Sequence, residues 1–149
     1  MRLALDTCVL SILCDDRHKE HGDALKWLQK RSSETGMEIC VPALAVYELA
    51  RGLLYAQVRD RKARSRGMER LERLRATFSV LTLDNAALLR AASLWAEARN
   101  QGRRTAPDQA LDGDVIIAAQ ALEVGATVVS DNRKHLSRYC AVEDWRMTG

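Results

Sequence analysis

Short apolar runs alternate with longer amphipathic segments along the whole chain. Four of the runs predict strands, because strands buried on both faces read as nearly continuous apolar stretches. They are "RLALD", "MEICVP", "SVLTL" and "ATVVSD". A fifth stretch, "AVEDW", predicts an edge strand near the end. Such spacing is typical of strands separated by helices.

Helical periodicity fills the segments between these strands. "CVLSILCD" reads as helical or turn-like, residues 20–34 predict a surface helix ended by Gly36, and residues 43–58 a helix starting after Pro42. Residues 68–78 and 85–102 predict two further helices, the second capped by Asp84. We expect residues 59–67 to be a loop or a helical extension, 103–111 a loop, and 113–125 a helix.

Alternating strands and helices predict an α/β domain with a mostly parallel central sheet and helices on both faces. No repeat or linker divides the 149 residues, so we expect one domain over 1–149. No apolar run approaches the ~18–20 residues of a membrane span. Asp6 interrupts what would be the apolar core of a signal peptide, so we expect a cytoplasmic protein.

The cysteines and the charges limit the functions that this chain can have. The four cysteines form no Cys-x-x-Cys pair, which favours small buried residues over a disulfide framework. Residues 51–75 hold nine basic and three acidic side chains, giving +6 in a chain of net charge +3. This basic stretch is either a footprint for a polyanion or a solvated helical face with pairs such as Glu69 with Arg73.

Four carboxylates interrupt segments that otherwise suit the interior: Asp6, Glu48, Asp114 and Asp131. Asp6 and Asp131 follow apolar strands, and the carboxyl ends of parallel strands meet at one edge of a sheet. Glu48 is the only charge in a helical stretch that is apolar nearly all round, and Asp114 is predicted to open an apolar helix. All four are therefore candidates for one shared site.

Each acid also has a structural interpretation. Asp6, Asp112 or Asp114 can cap a helix, Asp131 can form a turn with Asn132, and Glu48 can pair with Arg51. Four acids at one edge repel one another, however, unless a cation lies among them. Hard divalent cations such as Mg²⁺ or Mn²⁺ suit oxygen ligands, and no histidine is placed to indicate zinc.

Several stretches together resemble the PIN-domain ribonucleases. They are "LDTCVL", "VYELARG", "DVIIAAQALEVGATVVSDN" and "HLSRY", and the nearest likeness is to VapC-like toxins of bacterial toxin–antitoxin pairs. The resemblance implies a three-layer α/β/α sandwich, an Mg²⁺- or Mn²⁺-binding acid cluster and endonucleolytic cleavage of RNA. It also implies an antitoxin protein as partner and a homodimer.

Carried over by position, the catalytic and metal-binding acids of the family correspond to Asp6, Glu48, Asp114 and Asp131. Asp114, at a helix N-terminus, should be kept ionised by the helix dipole. Candidate supporting residues are Thr7, Asp112, Ser130 and Asn132. The basic stretch can rim the pocket and hold RNA phosphates, or dock an antitoxin. Its candidates for RNA binding, with one residue beyond Asp131, are Arg51, Arg59, Arg61, Lys62, Arg64, Arg66 and Arg133.

Other functions fit less well. A phosphatase of the haloacid dehalogenase type needs a second Asp two residues after the first, where this chain has Cys8. A nucleotide-binding module needs a glycine-rich turn after the first strand, and "DTCVLS" has no glycine. Two alternatives remain open: a PIN-like module that binds RNA or protein without cleaving, and an RNA-processing nuclease that is not a toxin.

Overall fold

A central sheet of five parallel strands organises the computed structural model, which describes residues 1–55, 60–102 and 108–147, with only the backbone for 108–112. The strands are β1 (Arg2–Leu5), β2 (Glu38–Pro42), β3 (Ser79–Leu81), β4 (Thr127–Val129) and β5 (Val142–Glu143). Their order across the sheet is β3-β2-β1-β4-β5, with β1 at the centre. Leu3 pairs with Ile39 on one side and with Thr127 on the other.

Helices cover the sheet and complete the predicted three-layer α/β/α fold. In the described ranges they are α1 (Thr7–Cys14), α2 (His21–Ser32), α3 (Ala43–Tyr55), α4 (Arg61–Thr77), α5 (Asn85–Asn100), α6 (Asp108–Glu123) and α7 (Arg133–Leu136). One group packs α1 against α2, α3 and α4, and a second packs α5 against α6. None of the described helices is long and apolar enough to span a membrane.

Burial explains why β1 and β4 lie inside the sheet. Leu3, Ala4 and Leu5 are completely buried, as are Val128 and Val129. Side chains on both faces are apolar because helices cover both faces of a parallel sheet. The carboxyl ends of β1 and β4 therefore open at the same edge, where the backbone N–H of Asp6 donates to the carbonyl of Val129 at 3.0 Å.

A buried glutamine fixes the helices that carry two of the acids. Gln120 on α6 is 1% exposed, and its amide donates to the carbonyls of Leu81 and Thr82 at 2.8 and 3.0 Å. Its Oε1 accepts from the backbone N–H of Leu44 at 3.3 Å, in the first turn of α3. Both α3 and α6 are thus tied to one point beside the end of β3.

The structure confirms several local predictions. Asp84 caps α5 by accepting from the N–H of Ala87 at 2.9 Å. Gly36, Gly102 and Gly125 follow helices with positive φ, a conformation that glycine adopts without steric cost. The four cysteines are free thiols, as the absence of a paired motif predicted.

Three predictions about helices were wrong or incomplete. The helix predicted at 113–125 begins at Asp108, so the predicted loop at 103–111 is wrong from 108 onward, while 103–107 lie outside the described residues. The stretch from 61 to 67, left open as loop or helix, is the start of α4. Helix α3 is not buried all round, because Tyr47 is 57% exposed and Tyr55 is 85% exposed.

Candidate metal centre

Asp6 lies at the carboxyl end of β1 and is held on both carboxylate oxygens. Its Oδ1 accepts from the N–H of Thr7 at 2.7 Å, which makes it the N-cap of α1. Its Oδ2 accepts from the Ser130 hydroxyl at 2.6 Å, and the side chain is 95% buried. Asp6 therefore caps a helix, as one sequence interpretation proposed, and at the same time presents a fixed carboxylate at the sheet edge.

Glu48 reaches this edge from the second turn of α3. Its Oε1 accepts from the Thr7 hydroxyl at 2.9 Å, so Thr7 contacts both acids, one by its backbone and one by its side chain. The predicted alternative, an ion pair with Arg51, is not among the contacts of the described residues, and the Arg51 guanidinium lies 5.2 Å from the centre of the Tyr47 ring. A methyl group on Gly113 would lie 3.1 Å from Glu48 Oε2. Glycine at 113 thus lets α6 approach the carboxylate.

Asp114, on α6, is the third acid of the group, after Asp6 at the N-cap of α1 and Glu48 on α3. Burial, together with the negative charges of Asp6 and Glu48, raises the pKa of Asp114 to about 6. The prediction that a helix N-terminus keeps Asp114 ionised is wrong. Because α6 begins at Asp108, Asp114 is its seventh residue and lies beyond the first turn, where the helix dipole acts.

Asp131, two residues beyond β4, is more exposed than Asp6 and pairs with an arginine. Its carboxylate is 27% exposed and accepts from Arg146 Nη2 at 3.2 Å. The predicted turn with Asn132 is replaced by a bond from the N–H of Asn132 to the Ser130 hydroxyl at 2.8 Å. The structure therefore brings Asp6, Glu48 and Asp114 together, and it pairs Asp131 with an arginine that sequence reasoning did not select.

The candidate supporting residues divide in the same way. Thr7 and Ser130 contact the acids directly through their hydroxyls. Asn132 contributes its backbone N–H to Ser130. The side chain of Asp112 lies outside the described residues.

Two cysteines in the site were assigned only to packing by the sequence analysis. The Cys8 thiol donates to Asp6 Oδ2 at 3.3 Å and lies within hydrogen-bonding reach of Asp131. Burial and the charge of Asp6 raise the pKa of Cys8, and burial together with Asp6 and Asp114 raises the pKa of Cys140. Both thiols are therefore protonated neighbours of the acids. Their position after β1 and near the C-terminus gave no periodic or motif signal.

The basic candidates are only partly available for a ligand. Arg66 pairs with Asp16 at 2.9 Å, and Arg70 pairs with the same carboxylate at 3.1 Å. Arg61 and Lys62 are exposed at the start of α4, and Arg64 is half-buried there. Arg133 is exposed at the start of α7, two residues after Asp131, whereas Arg59 lies outside the described residues. The predicted pair of Glu69 with Arg73 is not seen among the described residues; Glu72 pairs with Arg75 instead.

The donor set suits a hard cation, although the site is not closed around one. Among the described side chains, no three of the types His, Cys, Asp and Glu already lie close enough to hold a metal ion. The three acids offer only oxygen ligands, which Mg²⁺ and Mn²⁺ prefer. Burial and the repulsion between the acids both raise the pKa of Asp114, and a bound divalent cation would relieve that repulsion.

Comparison with known proteins identifies the family. The family profile described as PIN domain matches residues 3–142, so the chain belongs to the PIN domain family. Among curated protein sequences the chain has no significant match.

Solved structures show the same fold. VapBC2 from Rickettsia felis bound to a DNA fragment from its promoter is 18% identical, with a TM-score of 0.73 over 97% of this chain and 99% of that one. VapBC-1 from nontypeable Haemophilus influenzae is 21% identical, with a TM-score of 0.72 over 98% and 99%. FitAcB from Neisseria gonorrhoeae is 22% identical, with a TM-score of 0.72 over 97% and 98%. At these identities the likeness concerns the fold.

Proposed function

We propose that this protein is an Mg²⁺- or Mn²⁺-dependent endoribonuclease whose catalytic and metal-binding residues are Asp6, Glu48, Asp114 and Asp131. One observation carries the proposal. Carboxylates from the end of β1, from α3 and from α6 come to one sheet edge, where burial and then the negative charges of Asp6 and Glu48 raise the pKa of Asp114. A protein seldom keeps three such charges together without a cation or a protonation role to use them.

The polar contacts around the acids explain how the site would be held in shape. When bound, Mg²⁺ or Mn²⁺ supplies positive charge at the scissile phosphate and acidifies a water molecule for attack. Asp6 is fixed by the N–H of Thr7 and by Ser130, so its carboxylate keeps one orientation. Thr7 also holds Glu48, which couples the two acids through one residue.

Exposed basic side chains support an RNA substrate. Arg61 and Lys62 begin α4 with exposed side chains, and Arg133 begins α7 close to Asp131 in the chain. Phosphate contacts by arginine and lysine give salt-dependent affinity without base specificity. We propose that Arg51 and Arg64 contribute as well, and that Arg66 contributes more weakly, since it already pairs with Asp16.

A toxin role is the more specific form of the proposal. The structural relatives include VapBC complexes from Rickettsia felis and Haemophilus influenzae, which share the fold over nearly the whole chain. We propose by analogy a cognate antitoxin partner and a homodimer. An RNA-processing nuclease outside any toxin–antitoxin pair shares the same site, so only the partner separates these two roles.

Cleavage of labelled RNAs, both single-stranded and hairpin, tests the nuclease proposal. We expect the wild type to cleave RNA with Mn²⁺ and to stop cleaving in EDTA. Asp6→Asn and Asp114→Asn should lose more cleavage activity than the roughly 10- to 100-fold lost when a residue that only supports a metal ligand is replaced. Glu97→Gln, which removes an exposed carboxylate on α5, should leave cleavage unchanged. Cleavage that persists in EDTA, or in both site variants, would refute the proposal. RNA binding without cleavage would favour a non-catalytic module.

A growth assay tests the toxin role separately. Induced wild-type protein should arrest bacterial growth, Asp6→Asn should not, and co-expression of a short protein encoded beside the gene should restore growth. Cleavage in vitro without growth arrest would indicate an RNA-processing nuclease instead.

A further inference from the structure

The C-terminal segment brings an arginine to the last acid of the site. Arg146 follows β5 by three residues, and its Nη2 donates to Asp131 Oδ2 at 3.2 Å. The two residues are 15 positions apart in the chain. The contact is a single atom pair, so the arginine engages one oxygen of the carboxylate.

Arg146 is anchored from the opposite side by Glu20. Its Nε and Nη2 donate to Oε2 and Oε1 of Glu20 at 2.6 and 2.8 Å, the forked geometry in which a guanidinium binds a carboxylate most strongly. The guanidinium carbon also lies 5.0 Å from the centre of the Trp145 ring, and Trp145 is 95% buried. The backbone N–H of Arg146 donates to Asp144 Oδ1 at 3.0 Å. These contacts fix the arginine independently of Asp131.

We infer that Arg146, anchored by Glu20, is a positioning residue that holds the Asp131 carboxylate at the sheet edge. The inference rests on the proposed function, because it concerns how one of the proposed ligands is oriented. Carboxylates in metal sites are commonly hydrogen-bonded from behind, which sets their orientation. The Asp131 side chain is 27% exposed, and its bond to Arg146 restricts its rotation into solvent.

The anchoring geometry favours positioning over competition. An arginine that occupied the place of a metal ion would bind Asp131 through its strongest contacts. Here the two short bonds go to Glu20, and Asp131 receives the longer single one. Arg146 can therefore keep Asp131 Oδ2 while the other oxygen remains for a ligand.

The test is Mn²⁺ affinity at pH 7.5, measured from the electron paramagnetic resonance signal of free Mn²⁺. We expect Arg146→Met to weaken binding about tenfold and Glu20→Gln to weaken it in the same direction. In a protein that already carries Asp131→Asn, Arg146→Met should not weaken Mn²⁺ binding further. If Arg146 had only a structural role, it would weaken binding there too. The matched control is Arg2→Met. It breaks an exposed pair with Glu38 (2.8 Å) at the opposite end of β1 and removes the same charge.

Each outcome is decisive, with urea unfolding used to confirm that the variants are folded. Unchanged affinity in Arg146→Met and Glu20→Gln would overturn the positioning role, and tighter binding would show that Arg146 competes with the metal. The positioning role would also be overturned if Arg146→Met lowered Mn²⁺ affinity as much in the Asp131→Asn protein as in the wild type. In all these cases the proposed function would still be supported, provided that the wild type binds Mn²⁺ and Asp6→Asn does not. A wild type that binds no Mn²⁺ would contradict the proposed function itself.

Discussion

The Ser130 hydroxyl donates a 2.6 Å hydrogen bond to Asp6 Oδ2, joining the ends of two neighbouring parallel strands. The two residues are 124 positions apart, and both are buried. The same hydroxyl oxygen accepts from the N–H of Asn132, so Ser130 also shapes the loop that carries Asp131. One side chain thus couples the first and the last acids of the proposed site.

Replacing Ser130 by Ala should reduce stability and metal affinity together. The substitution leaves the N–H of Asn132 without its partner and leaves Asp6 Oδ2 with only the weaker Cys8 thiol donor, which costs about 1–3 kcal/mol. Urea unfolding and Mn²⁺ titration measure the two effects. Ser137→Ala removes an exposed hydroxyl with a long 3.5 Å bond and serves as the control. Mn²⁺ affinity equal to that of the wild type would show that Ser130 does not orient Asp6.

Asp114→Asn should stabilise the metal-free protein at neutral pH. The pKa of Asp114 is raised from 3.8 to about 6 in the folded state, so the folded protein binds its proton more tightly than the unfolded chain does. This contribution to stability is present below pH 3.8 and is lost as the pH rises to 6. The variant should therefore gain on the order of 1 kcal/mol at pH 7.5, after allowance for partial exposure, and little at pH 4.

Thermal unfolding of both proteins in EDTA, at the two pH values, measures this difference. An equal gain at pH 4 and pH 7.5 would mean that the ionised carboxylate is not the source of the instability.

Metal affinity should fall with acid around the pKa of Asp114. A carboxylate must lose its proton before it ligates, so binding competes with protonation. We expect Mn²⁺ affinity to be nearly constant above pH 7 and to fall by about tenfold for each pH unit well below 6. Calorimetric titrations between pH 5 and pH 8 measure the profile. A flat profile over that range would exclude Asp114 as a ligand.

Gly113→Ala should separate stability from function. Alanine favours a helix interior by about 1 kcal/mol over glycine, but its methyl group would lie 3.1 Å from Glu48 Oε2. The carboxylate must then move by a few tenths of an ångström. We expect weaker Mn²⁺ binding without a large loss of stability. Gly52→Ala, at a helical position with open space, should stabilise α3 and leave binding unchanged. Equal Mn²⁺ affinity in the two variants would show that the close approach of α6 is unimportant.

The sequence predicted the fold well because each buried strand can be recognised by its own run of apolar residues. Leu3 to Leu5 and Val128 to Val129 are apolar without interruption. In a chain that alternates strands with helices, such runs indicate strands of a parallel sheet covered by helices on both faces. The start of α6 was missed because residues 103–111 are mostly polar and contain Pro107, which is typical of a loop, although Leu111 lies at helical spacing from Val115.

The candidate site was predictable where an acid interrupts an apolar segment, as at Asp6, Glu48 and Asp114. Arg146 was not predictable, because it reaches Asp131 and Glu20 only after the C-terminal segment has folded past β5. Its neighbours in sequence give no periodic signal. The homodimer, the antitoxin and the cytoplasmic location stay predictions.

The most direct test of the central claim is anomalous diffraction from crystals soaked in Mn²⁺. We predict an anomalous peak in contact with the carboxylates of Asp6 and Asp114, at the carboxyl edge of β1, and no such peak in crystals of Asp6→Asn. A fully folded wild-type protein with no manganese at this edge, at Mn²⁺ concentrations that support RNA cleavage, would contradict the account.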